Sequence, residues 1–263
     1  MQEAAKNGIV VLGSTGEALN LSKRECKKVL EFTFSLNLNV PIMTGLGGYN
    51  LEETLDYLVY LETLPLDAYL MVTPLYAKPG EHGQTHWFKS LMDKATKPCM
   101  LYNVPGRTAV KMSFDAVKNL SAHKNFWAIK EASGSVSDFK LYTASNPNAR
   151  VYSGDDGMVY DFAPHGCVGL VSVASNIWAK ETKLYVEKAL NKTLSNEDVA
   201  LWKRATDTMF IASNPVPVKN ILWATGVIKN KTLKAPLSDR DLRDNSPLLV
   251  AHAEIQAWYK KNA

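Results

Sequence analysis

The chain has 263 residues, of which 46% are hydrophobic, 21% charged and 10% aromatic, a composition that argues against disordered, collagen-like and coiled-coil classes. Its net charge of +4 is too mild and too evenly spread for a nucleic-acid footprint, and no run of about 18 apolar residues offers a membrane span. The length suits one α/β barrel, which needs about 250 residues, or two smaller domains.

The first residues, Met1 to Gly8, carry no basic segment followed by an apolar core, so no signal peptide is expected. Short apolar runs rich in β-branched residues then recur at Gly8–Leu12, Pro41–Thr44, Ala68–Val72, Cys99–Tyr102, Phe126–Ile129, Arg150–Tyr152 and Val168–Val173. Stretches of helical periodicity lie between most of them, at Lys23–Leu36, Glu52–Leu64, His82–Ala95 and Ser113–Leu120. The early runs start about 30 residues apart, the size of one βαβ unit. Because the runs are apolar throughout rather than alternating, both faces of each strand should be buried, as in a parallel sheet. Ser22, Ser113 and Ser135 are the expected helix N-caps.

Such alternation leaves an open doubly wound sheet or a closed barrel. No G-x-G-x-x-G opens a helix after the first strand, which removes the main sign of a dinucleotide-binding sheet. After Val173 the spacing turns helical, in Thr182–Leu190, Val199–Ile211, Val218–Thr225 and Leu248–Trp258. The expected division is a barrel over residues 1–176, followed by the last barrel helix and a C-terminal helical appendage over 177–263. Trp87, Trp178, Trp202, Trp223 and Trp258 read as packing anchors. Three widely separated cysteines, Cys26, Cys99 and Cys167, suit reduced thiols in a cytoplasmic protein. No cysteine or histidine spacing suggests a metal.

In a parallel barrel, reactive groups collect where strands end. The unusual residues of this chain sit at those junctions: Gly13-Ser14-Thr15-Gly16-Glu17, Thr73-Pro74-Leu75-Tyr76, Tyr102-Asn103-Val104-Pro105-Gly106-Arg107, Lys130, Ser153-Gly154-Asp155-Asp156 and Ser172. Lys130 follows Phe126-Trp127-Ala128-Ile129, so its stem enters a strand buried on both sides. A buried amine without a partner loses its charge more readily and becomes a nucleophile toward a ketone. The alternative is an ammonium that snorkels out of the barrel mouth. Glu131 is a poor partner, because neighbours in a strand face opposite ways. The Gly13–Glu17 loop is either a carboxylate cradle or a plain turn. Arg107 is either a carboxylate clamp or an idle loop arginine. Tyr102 is either a proton relay or packing, and Asp155 and Asp156 are either an acid–base couple or a helix start.

Taken together, these segments resemble the dihydrodipicolinate synthase family, within the superfamily of N-acetylneuraminate lyase and related class I aldolase barrels. Ile129-Lys130-Glu131-Ala132-Ser133-Gly134 and Asn214-Pro215-Val216-Pro217-Val218-Lys219 add to the likeness, which runs from about Ala4 into the C-terminal region. The resemblance implies a TIM (β/α)8-type barrel that needs no cofactor. It also implies condensation of pyruvate with L-aspartate-4-semialdehyde in lysine and diaminopimelate biosynthesis. By resemblance, Lys130 forms the Schiff base and Tyr102, Ser14 and Tyr76 relay protons, with Tyr76 reaching in from a neighbouring subunit of a homodimer or homotetramer. Thr15 and the backbone of Val171 bind pyruvate, and Arg107 holds the carboxylate of the aldehyde.

Several residues depart from the family pattern. Ser14 stands where synthases usually carry threonine, and Gly-Ser-Thr-Gly-Glu also occurs in the neuraminate lyases. Leu75 replaces a tyrosine. Lys23, Cys26 and Tyr49 stand where lysine-sensitive members carry His, His and Asn, while Glu53 is retained, so weak or absent lysine feedback is expected. Met1 to Asn7 resembles the end of the family's first helix, so the first strand and most of that helix are expected to be missing. Two other readings stay open: a different pyruvate-dependent aldolase, or a catalytically silent barrel with a structural role.

Overall fold

A computed structural model describes residues 8–263; the expected helix remnant at Met1 to Asn7 lies outside the described residues. Seven strands form one parallel sheet in chain order: β1 (Ile9–Val11), β2 (Ile42–Leu46), β3 (Ala68–Val72), β4 (Cys99–Asn103), β5 (Phe126–Glu131), β6 (Arg150–Ser153) and β7 (Cys167–Leu170). All seven coincide with the predicted runs. The last is shorter at its C-terminal end, because Val173 and Ala174 are drawn instead onto the Asp156 carboxylate.

The helices between them are α1 (Lys23–Ser35), α2 (Leu51–Glu62), α3 (Glu81–Lys94), α4 (Pro105–Thr108), α5 (Phe114–Asn119), α6 (Val136–Ser145) and α7 (Val159–Phe162). Four more follow β7: α8 (Ala179–Leu190), α9 (Asn196–Asp207), α10 (Val216–Ala224) and α11 (Ser246–Asn262). The three predicted serine caps are made: Ser22, Ser113 and Ser135 accept from the backbone N–H three residues on, and Glu25 completes a capping box with Ser22. Residues 225–245 do not continue the helical spacing, apart from one short turn at Asp239–Asp241.

A sheet whose strands follow chain order, with right-handed crossovers, carries its helices on one face. The other face has no helix layer and must curl to bury itself. Its interior holds Leu70, Met100, Tyr102 and Ala128, with Val10, Met43 and Tyr152 against them. The outer layer, between strands and helices, is a larger core around Leu58, Leu61, Phe88, Leu101, Ile129 and Phe139. A third core is C-terminal: Trp178, Tyr185, Trp202 and Trp258 pack with Val159, Val173 and Ala174, with Tyr185 stacked on Trp202 at 4.2 Å between ring centres. Four of the five tryptophans expected to anchor packing are buried. Trp223 is not; it is 43% exposed, under the Lys231 ammonium.

Among the described residues β1 and β7 each pair on one side only. A cleft of about 780 Å³ follows the seam between them, lined by Val10, Met43, Met100, Trp127, Tyr152, Val171 and the α8 face of Thr182 and Val186. No helix among the described residues is long and apolar enough to cross a membrane. Cys26, Cys99 and Cys167 are free and buried.

Candidate active site

Strand register builds the site. Val72 pairs with Tyr102, Tyr102 with Lys130, and Lys130 with Tyr152, so one row crosses β3 to β6. Lys130 lies two residues beyond Ala128, an interior residue, and therefore points into the barrel as well. It is 8% exposed, and its Nζ lies 4.2 Å from the centre of the Tyr102 ring. No carboxylate among the described residues forms a salt bridge with it. Burial lowers its pKa from 10.5 to about 8, with Arg107 acting in the same direction and Asp156 and Asp155 opposing. At pH 7 about a tenth of such amines are neutral, roughly 300-fold more than for an ordinary lysine.

Space for that side chain comes from Gly154. A Cβ there would stand 2.8 Å from Lys130 Cε, 2.6 Å from Ala132 Cβ and 3.1 Å from the Glu131 carbonyl. Two carboxylates follow it. Asp156 is fully buried and accepts from the Ser172 hydroxyl and from the N–H groups of Val173 and Ala174, at 3.0 and 3.2 Å. Asp155 accepts from Gly134 N–H at 2.9 Å, and burial raises its pKa to about 6. Glu131 faces the other layer, where it accepts from Asn103 Nδ2 at 2.7 Å and Ser133 N–H at 2.8 Å. It is therefore a structural acid, as alternation along the strand predicts.

Tyr102 has its pKa pushed up to about 12 by burial, with Arg107 and the nearby Ser14 hydroxyl pulling the other way. Ser14 and Thr15 lie in the turn after β1, closed by Gly16 N–H to Gly13 O and Glu17 N–H to Ser14 O. Arg107, exposed on α4, donates to the Asn214 carbonyl at 3.2 Å. Val171 donates its N–H to the Ser153 carbonyl at 2.9 Å, which holds it beside the end of β6. Tyr76 stands apart. It is 90% exposed on the loop after β3, with a left-handed φ of 61°. Among the described residues no group of three or more His, Cys, Asp or Glu could hold a metal ion.

The model of the "Dihydrodipicolinate synthetase family" matches residues 2–251. The chain belongs to this family. It is 46% identical to the 4-hydroxy-tetrahydrodipicolinate synthase of Francisella philomiragia, covering 98% of this chain and 88% of the relative. The synthase of Wolbachia pipientis wMel is 44% identical, with 98% and 87% covered. Among solved structures, the dihydrodipicolinate synthase of Acinetobacter baumannii complexed with pyruvate superposes with a TM-score of 0.88 at 32% identity, covering 97% of this chain and 88% of that one. That of Methylacidiphilum fumariolicum SolV gives 0.90 at 29%, covering 99% and 88%.

Three contributors have roles that the sequence does not reveal, although Gly154 and Asn214 lie in segments it singles out. Tyr152 is placed beside Lys130 by register alone. Gly154 matters through an atom it lacks. Asn214 arrives from the loop before α10 and donates from Nδ2 to Thr15 Oγ1 at 2.9 Å. Of the three, Tyr152 leaves no signal beyond its strand, whereas Asn214 stands out as a polar residue ahead of an otherwise apolar Pro-Val-Pro-Val run.

Proposed function

We propose that the chain condenses pyruvate with L-aspartate-4-semialdehyde to 4-hydroxy-tetrahydrodipicolinate through a Schiff base on Lys130. The observation that carries this reading is the one buried lysine among the described residues, its pKa lowered to about 8 on the face of Tyr102. The names of the relatives, and the pyruvate held by the A. baumannii structure, support the same substrates.

In this reading the neutral Nζ adds to C2 of pyruvate, and the carbonyl oxygen leaves as water. Loss of a methyl proton gives an enamine, whose carbon attacks the aldehyde carbon while the aldehyde oxygen takes up a proton. The amino group of the second substrate then adds at C2, displaces Lys130 and closes the ring. Tyr102, with its raised pKa, stays protonated at neutral pH and begins as a proton donor. Ser14 and Tyr76 complete the relay. The Thr15 hydroxyl donates to the pyruvate carboxylate, the backbone of Val171 borders pyruvate, and the planar fork of Arg107 holds the carboxylate of the aldehyde.

Tyr76 reaches a site only from a second copy, so the active form is a homodimer or homotetramer; its exposure on a loop supports this. An eighth strand in the seam between β1 and β7 would complete a (β/α)8 barrel, with residues 177–263 supplying its last helix and a C-terminal helical appendage. Three buried free thiols support a reducing, cytoplasmic compartment. At the position of the family's lysine pocket, Lys23 lies on the Tyr57 ring and Tyr49 faces solvent. Feedback by lysine is accordingly weak or absent.

Borohydride reduction with pyruvate, followed by peptide mass mapping, tests the reading. Mass addition on Lys130 together with turnover of the semialdehyde is expected. An unmodified Lys130 in folded protein overturns it in favour of a silent barrel. Trapping with retro-aldol activity on sialic acids alone overturns the choice of substrate.

A further inference from the structure

The turn that carries Ser14 and Thr15 is not held by the barrel alone. Three contacts tie it to the C-terminal region. Lys219 on α10 forms an ion pair with Glu17, and the backbone N–H of Lys234 donates to the other Glu17 oxygen at 2.8 Å. The third contact is Asn214, 199 residues distant, whose Nδ2 donates to Thr15 Oγ1 at 2.9 Å. Asn214 is 4% exposed, and its Oδ1 has no partner. Its own carbonyl accepts from Arg107 Nη2 at 3.2 Å.

A hydroxyl that accepts one hydrogen bond keeps its single proton to give elsewhere. With the amide of Asn214 as donor, Thr15 is therefore set as a donor toward the barrel mouth, the polarity a carboxylate needs. Arg107 is anchored on the carbonyl of the same residue. Both groups assigned to substrate carboxylates thus hang from one buried asparagine, and a few bonds within it fix their separation.

We propose that Asn214 is a positioning residue that orients the Thr15 hydroxyl as a donor and sets the spacing between the two carboxylate-binding groups. It touches no substrate and acts through Thr15 and Arg107. The inference rests on the functional reading above. It also gives the C-terminal region a defined part in the site: Asn214, Lys219 and Lys234 hold the substrate turn against the barrel.

Borohydride trapping at graded pyruvate concentrations separates the two claims. Absence of trapping in the unsubstituted protein refutes the functional reading. Given trapping there, Asn214→Ala raises the half-saturating pyruvate concentration about tenfold, the scale of one lost hydrogen bond. Asn214→Asp raises it further, because a carboxylate accepts the Thr15 proton and repels the substrate. In a double-mutant cycle, Asn214→Ala adds nothing to Thr15→Val, as expected for a residue that acts through Thr15. Additive losses, or Asp no worse than Ala at an equal melting temperature, overturn the proposal. If the alanine variant does not fold, the near-isosteric aspartate variant decides, and unchanged pyruvate affinity in it overturns the proposal.

Discussion

Lys130 Nζ stands 4.2 Å above the centre of the Tyr102 ring, the two side chains being cross-strand partners in the pairing of β4 with β5. An aromatic face attracts a cation, but burial opposes the charge more strongly and holds the pKa at about 8. The amine is thus kept at the phenol in a form that is neutral part of the time.

The rate of pyruvate trapping should rise with pH through about 8 and level off above it. Asp155 helps keep Lys130 charged, so Asp155→Asn, which retains an acceptor for Gly134 N–H, should move that rise to lower pH. Stopped-flow or quench measurements of imine formation from pH 6 to 10 would show the shift. A shift to higher pH would contradict it.

Linkage makes the same amine visible in stability. Its folded pKa lies below the unfolded value, so between about 8 and 10.5 the unfolded chain binds more protons and stability increases with pH. Below about 8 the cost of burying the charge is fully present. Lys130→Met should remove this contribution, and denaturant titrations of both proteins at pH 7.5 and 9.5 measure the difference.

Gly154→Ala should cut trapping by about two orders of magnitude while leaving Lys130 in place. The new methyl would press on Lys130 Cε, and small displacements of a reacting group cost that much. Peptide mapping after long exposure to borohydride distinguishes slow trapping from none.

Arg107→Ala should keep pyruvate trapping, with its rise moved to higher pH because the arginine helps lower the Lys130 pKa, and raise KM for the semialdehyde about 10- to 100-fold, the range for a hydrogen bond to a charged group. Initial rates with each substrate varied in turn would show the split. A loss confined to pyruvate would reassign the arginine.

Asn103→Leu should destabilise the fold by about 3 kcal/mol, because it strands the buried Glu131 carboxylate and the Met112 N–H together. The measurement is the urea midpoint at constant m-value. Glu131→Gln should be milder, since an amide still accepts from Ser133 N–H.

The strands, the long helices, the serine caps and the placement of Lys130 at the end of a buried strand were legible in the chain itself. Each follows from local rules: apolar runs buried on both faces, a 3.6-residue period, a side-chain oxygen before a helix, and strict alternation along a strand. Alternation alone also separates Lys130 from Glu131. Tertiary structure decided what depends on residues far apart in the chain. Register set Tyr152 beside Lys130, the pairing of β6 with β5 carried on into Gly154 and brought it against the lysine stem, and the C-terminal fold carried Asn214 to Thr15 across 199 positions. Periodicity reports which way a side chain faces, whereas only packing in three dimensions reports what it meets.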